Sequence, residues 1–157
     1  MTLYKEWRNL MVLSLSVVLF ATASCDDDDD DDPIKTQYTI SGNATGAQEV
    51  PPVNTPATGT VTGNYNSATN VLTYTITWTN LTGPARAMHF HGPAGVGENN
   101  DPIIHISNFP QEVTGTVSGT ANVEEADEAD LLNERWYVNI HTPNHGGGEI
   151  RAQVIVE

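Results

Sequence analysis

From Thr36 to the end of the chain, apolar residues recur at every second position. In "NVLTYTITWTN", Leu72, Tyr74, Ile76 and Trp78 share one face and threonines take the other. Successive side chains of a strand point to opposite faces, so this pattern predicts a half-buried β-strand. "GTVTGNY" and "EVTGTVSGTANV" alternate similarly, with glycines that predict bulges or close contacts within a sheet. In "AMHFH", Met88 and Phe90 oppose Ala87, His89 and His91; in "IIHIS", Ile104 and Ile106 oppose His105. In "RWYVNIHT", Trp136, Val138 and Ile140 oppose Tyr137, Asn139 and His141. The last run, "EIRAQVIVE", is expected to bury Ile150, Ala152, Val154 and Val156. Only "VEEADEADLLNER" reads as a helix, acidic at its start and basic at its end. The expected fold is all-β: an antiparallel, Greek-key-like β-sandwich or barrel of about seven or eight strands with one short helix.

The first residues read differently. Met1 to Ser24 carry Lys5 and Arg8 and then "LMVLSLSVVLFATAS", the layout of a secretory signal. Cys25 is the only cysteine, so an internal disulfide is excluded. "TASC" resembles a bacterial lipobox, with Thr22 where a larger aliphatic residue is usual. On that resemblance residues 1–24 are a lipoprotein signal peptide and Cys25 is the lipidated residue, palmitate among its acyl chains. Two or more chains give stable attachment to a membrane. Asp26 to Asp32 follow at once, and a run of like charge repels itself and stays extended. Residues 25–35 are therefore expected to be a tether, and residues 36–157 one domain. Acidic residues behind a lipidated cysteine also resemble the surface-export signal of lipoproteins in some Gram-negative bacteria. The expectation is an outer-membrane lipoprotein exposed at the cell surface, its partners the membrane and an extracellular or envelope ligand.

The net charge of −14 includes the seven tether aspartates and Glu6. From Pro33 onward twelve acids face four bases, Lys35, Arg86, Arg135 and Arg151. Such a body has no basic patch and excludes nucleic acid as a partner.

All five histidines fall in two cassettes, "RAMHFHGPAGVGENNDPIIHIS" and "YVNIHTPNHGGGEIRAQVIVE". His89 and His91, two apart on a strand, point the same way and could present two imidazoles to one metal ion. His141, with His105 or His145, could complete the set, and imidazole suits copper and zinc. The alternative is that the rings hydrogen-bond to glycine-rich loops and hold them together. No serine sits in a nucleophile elbow. Glu98, Asp101 and Glu149 lie near the cassettes, but no spacing among them demands an acid–base pair. Glu149 and Arg151, two apart on one strand face, are expected to form a salt bridge to a neighbouring strand.

Three stretches carry a family resemblance: "EVPP", "HFHGPA" and "YVNIHTPNHGGGEIR". In this order, over roughly Tyr38 to Val156, the chain resembles the chordin-type, or CHRD, domain. Gly146 stands where that family often has Pro, and Ala152 where it usually has Gly. The resemblance implies an extracellular all-β module, repeated in an animal antagonist of bone morphogenetic proteins and single in many bacterial secreted proteins. It implies no enzymatic activity, and His91, Gly92, Pro93, Asn139, Gly148, Glu149 and Arg151 belong to its signature positions. This chain lacks the cysteine-rich modules of the animal protein, so growth-factor binding does not carry over. "HFH" also resembles the metal-binding strand of Cu/Zn superoxide dismutases, an analogy at the level of one motif and fold class.

Overall fold

A computed structural model of the chain describes residues 35–157; the expected signal peptide, Cys25 and the aspartate run lie outside them. The strands are β1 (Gln37–Thr45), β2 (Thr58–Asn66), β3 (Val71–Thr79), β4 (Ala87–His91), β5 (Pro102–His105), β6 (Gly115–Asn122), β7 (Tyr137–His141), β8 (Ile150–Gln153) and β9 (Ile155–Val156), with one α-helix, α1 (Glu125–Leu132). All belong to one antiparallel sheet in the order β5-β4-β7-β8-β1-β2-β3-β6, with the short β9 beside β1. The sheet curls into a nearly closed barrel, so that Phe90 of β4 meets Tyr74 of β3 edge to face at 5.2 Å. The alternation is obeyed: Leu72, Tyr74, Ile76, Trp78, Met88, Phe90, Val138, Ile140 and Ile150 all lie in one core. Val156 is only partly buried at the margin.

The glycines of the strands make room rather than bulges. Trp78 pairs with Gly59 on β2 and Gly115 on β6, and Tyr74 with Gly63 and Gly119. A Cβ at Gly115 would stand 2.5 Å from Trp78 Cζ2, and one at Gly119 2.5 Å from the Tyr74 hydroxyl. Each large ring therefore lies over its β6 glycine, whereas at Gly59 and Gly63 a Cβ would meet the Thr77 and Thr73 carbonyls of β3. On the opposite face threonines pair across strands, with Thr60 to Thr77 and Thr75 to Ser118 each 2.8 Å apart.

The outward face of β4, β7 and β8 is covered. The β4–β5 connection folds over it, with Arg151 donating to the carbonyls of Glu98 and Gly95. The β1–β2 connection closes the other side, where the Gln153 N–H donates to Gln48 Oε1. Asn99 Nδ2 joins the two connections through the Val50 carbonyl at 2.8 Å. This second interior is polar, and both histidine cassettes line it.

Candidate functional site

The register of the sheet sets one polar row across four strands. His105 of β5 pairs with His89 of β4, His89 with Asn139 of β7, and Asn139 with Arg151 of β8. His141 pairs with Ala87, which places it diagonal to His89. His89 is thus the hub, its ring centroid 4.7 Å from His105, 5.0 Å from His141 and 5.4 Å from His91.

One ring nitrogen each from His89, His91 and His141 lies within 4.8 Å of the others. His141 Nδ1 is 3.0 Å from the Gly146 carbonyl, which fixes a proton on that nitrogen and leaves the Nε2 lone pair facing inward. His89 Nδ1 is 3.2 Å from that Nε2. His91 Nδ1 is 2.8 Å from the Asn100 carbonyl and its Nε2 3.0 Å from Asn139 Oδ1, two acceptors of which a neutral ring serves one at a time. His91 also stacks on Tyr137, 4.6 Å between centroids and 7° between planes. Each outer ring is therefore oriented by a backbone carbonyl, the arrangement seen around metal-bound imidazoles. Tetrahedral ligands at a zinc–nitrogen distance of about 2.0–2.1 Å stand roughly 3.4 Å apart, inside the 4.8 Å that bounds these nitrogens.

The trio is held neutral. Burial, then the neighbouring His141, His91 and His105, lowers the His89 pKa to about 4. Burial lowers His91 as well, outweighing its bonds to Asn100 and Asn139, and lowers His141 against its bond to Gly146. Neutral imidazoles are the form that binds metal. They also make the fold acid-sensitive. An unfolded imidazole takes its proton near pH 6.5 and His89 only near 4, so stability is full above 6.5 and falls as pH drops toward 4. Glu49 opposes this: burial raises its carboxyl to about 7, against the field of Arg151 and the approach of Asn139. The folded chain then holds a proton that the unfolded chain releases above 4.5, and stability declines as pH rises from 4.5 to 7. Urea unfolding across pH 4 to 7.5 is expected to show the histidine slope dominating below 6.5, with His89 contributing at most about 3 kcal/mol. His89→Gln flattens that limb.

His105 stands beside His89 but is exposed and outside the trio. His145 lies in the β7–β8 turn and lines a separate cavity with Glu49. Gly92 admits Trp136, whose Cδ1 would be 2.7 Å from a Cβ there. The Pro93 carbonyl accepts from Asn100 Nδ2 at 2.7 Å. Glu98 Oε2 accepts from the Gly95 N–H and is not paired with Asp101 or Glu149 as an acid–base couple.

The expected salt bridge from Glu149 and Arg151 to a neighbouring strand is corrected: neither residue forms an ion pair, and among the described residues the one ion pair is Arg135–Asp130 at 3.0 Å. Glu149 is wholly buried and accepts from Thr55, Thr142 and twice from Thr82, at 2.7–2.9 Å. Burial alone would raise its pKa; those donors outweigh it and hold the carboxyl below its usual range. Arg151, 1 % exposed, donates to backbone carbonyls and Gln153 and lies 3.6 Å over the Tyr137 ring. Periodicity placed both residues on the right face. It carried no sign that loops cover that face, nor of Glu49, whose one local mark is the proline pair behind it.

The barrel, the three signatures on its polar side and their order agree with a single family description. The family model for the CHRD domain matches residues 40–154. The chain belongs to the CHRD-domain family. No curated protein and no solved structure matches it. The CHRD domain is not a known enzyme family, and membership suggests a binding or structural module. Here its three signature stretches converge on one side of the barrel, "HFH" and "NIH" as adjacent strands and "EVPP" and "HGGG" as the turns beside them.

Proposed function

We propose that this chain is a lipoprotein of the outer membrane, exposed at the cell surface, whose CHRD domain binds a copper or zinc ion without catalysis. Acyl chains on Cys25 anchor it and the seven aspartates carry the domain clear of the bilayer. The observation behind the metal reading is the trio itself: nitrogens of His89, His91 and His141 within 4.8 Å, on rigid adjacent strands. An all-imidazole set suits copper and zinc and offers nothing to calcium or magnesium. His105, 4.7 Å away between ring centroids, stands near the open side.

Titrating the metal-free protein with each ion while following thermal unfolding tests this. A ligand bound only by the folded state stabilises by about 2.7 kcal/mol at a hundredfold excess over Kd. For a domain of this size that is a rise of roughly 10 °C. His89→Ala and His141→Ala each abolish the rise, and binding weakens in acid as pH falls toward the lowered pKa values of these rings, about 4 for His89.

A second reading has its own support. His91 has both nitrogens within hydrogen-bond distance of Asn100 and Asn139, which makes it a clamp between the β4–β5 connection and strand β7. On that reading each histidine substitution costs roughly 1–3 kcal/mol through orphaned loop groups, and neither metal moves the wild-type melting curve.

The anchor is tested separately. Cys25→Ala releases the protein from membranes or leaves it as precursor, because acylation needs the thiol. Wild-type protein incorporates labelled palmitate; a mature chain without label, beginning elsewhere, refutes the anchor.

A further inference from the structure

The "EVPP" and "HGGGE" stretches meet at a cavity separate from the histidine trio. It has a volume of about 190 Å³, with Val50, Pro51 and Val53 on one side and His145 and Gly148 on the other. Glu49 belongs to its lining and is 5 % exposed, yet its Oε1 has no hydrogen-bond partner. A buried carboxylate oxygen without a donor is rare in folded proteins and points to an unrecorded partner. The contrast within this molecule is direct. Glu149, equally buried, takes four donors, and Glu49 Oε1 none.

The neighbouring groups do not satisfy it. Arg151 supplies the nearest positive field, but its guanidinium is committed to the Glu98 and Gly95 carbonyls and to Gln153. Asn139 Nδ2 approaches the carboxyl but leaves Oε1 unbonded and sits 3.4 Å from the Gly147 carbonyl. Gly148 keeps the space beside the carboxyl open. Its φ is +126°, and a Cβ would stand 2.5 Å from Glu49 Oε1 and 2.7 Å from Asn139 Nδ2. Any other residue there would both strain the backbone and press on the acid.

The occupant follows from size and chemistry. Pockets for drug-sized ligands begin at about 300 Å³, so this one admits a single small group. Glu49 keeps its proton up to about pH 7, and above that the carboxylate at the wall selects a cation. One carboxylate and one imidazole fall short of a four-ligand metal set. An ammonium brings full charge and three donors, and valine and proline walls suit the methylenes behind it. We propose that this cavity binds a primary ammonium group on a short alkyl stem, with Glu49 as its counter-ion. The same chemistry is carried by a free alkylamine and by a lysine side chain of a partner. The proposal does not rest on the metal reading, since none of the three histidines lines the cavity.

Calorimetric titration of the full chain in detergent at about pH 8, where Glu49 is ionised and alkylammonium still charged, tests it with n-butylammonium, N-acetyl-lysine amide and, as uncharged control, n-butanol. Both ammonium probes are expected to bind and n-butanol not. Binding of n-butylammonium alone assigns the site to free amines; binding of both admits a partner's lysine. Glu49→Gln, of equal size and verified as folded by its melting curve, lowers the affinity at least tenfold. In the wild type the Glu49 carboxyl carbon resonance moves with n-butylammonium and stays with n-butanol, a readout that does not depend on the variant. Failure of both ammonium probes to bind, equal binding by n-butanol or by the Glu49→Gln variant, or an unmoved resonance overturns the proposal.

Discussion

Glu149→Ala is expected to lower stability by about 3–5 kcal/mol, enough to unfold a large share of a marginally stable domain. The side chain is wholly buried, and its two oxygens collect the Thr55 hydroxyl, the Thr82 N–H and hydroxyl, and the Thr142 hydroxyl. These donors come from three connections: the β1–β2 loop, the residues after β3 and the residues after β7. Truncation leaves the buried Thr142 hydroxyl and the half-buried Thr55 hydroxyl facing a void, each at a cost of about 1–3 kcal/mol, while the exposed Thr82 can turn to solvent. Charge-assisted bonds are also stronger than neutral ones, so Glu149→Gln should recover only part of the loss, since its amide nitrogen meets donors. The pH dependence identifies the charge as the cause. The folded carboxyl has its pKa below 4.5, so its stabilisation is present above 4.5 and is lost as pH falls through the folded value. Urea unfolding of wild type and Glu149→Gln at pH 7 and pH 3 should therefore show a gap that narrows in acid. A gap unchanged by pH would mean that shape, not charge, holds the three connections.

The barrel was legible because alternation reports burial directly. Trp78, Phe90 and Val138 each fall where period two places them, and the acidic "EEADEAD" run forms α1. The strand threonines and the β8 residues Arg151 and Gln153 illustrate what alternation leaves out. Both sets occupy the non-core face of their strands and look alike in the sequence. Threonines of β2, β3 and β6 face solvent or pair with one another, whereas Arg151 and Gln153 are buried beneath the β4–β5 connection. Periodicity assigns a residue to a face and is silent about what lies over it. The same limit applies to the site. His89 and His91 were fixed by their spacing, and His141 by the strand it ends. His105 and His145 hung on how two loops turn, and those loops leave one exposed and send the other to the Glu49 cavity. Glu49 was not legible because its burial depends on a turn about 100 residues away in sequence, which no local pattern encodes.

Arg151→Met is expected to cost about 3 kcal/mol and, unlike a simple core truncation, to move two titrations elsewhere. The guanidinium lies between the sheet and the β4–β5 connection, donating to Glu98 at 2.6 Å, Gly95 at 2.9 Å and Gln153 at 3.0 Å, and resting 3.6 Å over Tyr137. No carboxylate pairs with it among the described residues. Carbonyl dipoles and the π-face of Tyr137 take that role. Methionine fills similar volume and removes the cost of burying the charge, which limits the loss. It also leaves the Glu98 and Gly95 carbonyls without donors, so the connection over His91 loosens. Arg151→Lys is no substitute, because one ammonium cannot span the fork's acceptors or stack on the ring. Two shifts test the electrostatic part. Arg151 helps to lower the His91 pKa and to lower that of Glu49 against its burial. Its removal should therefore raise both, by reduced repulsion at His91 and by lost attraction at Glu49. Proton NMR of the imidazole and carbon NMR of the carboxyl in Arg151→Met read the two directions independently of stability. If the domain is destabilised but neither group moves, the guanidinium acts by packing alone, and its charge has no hold on either site.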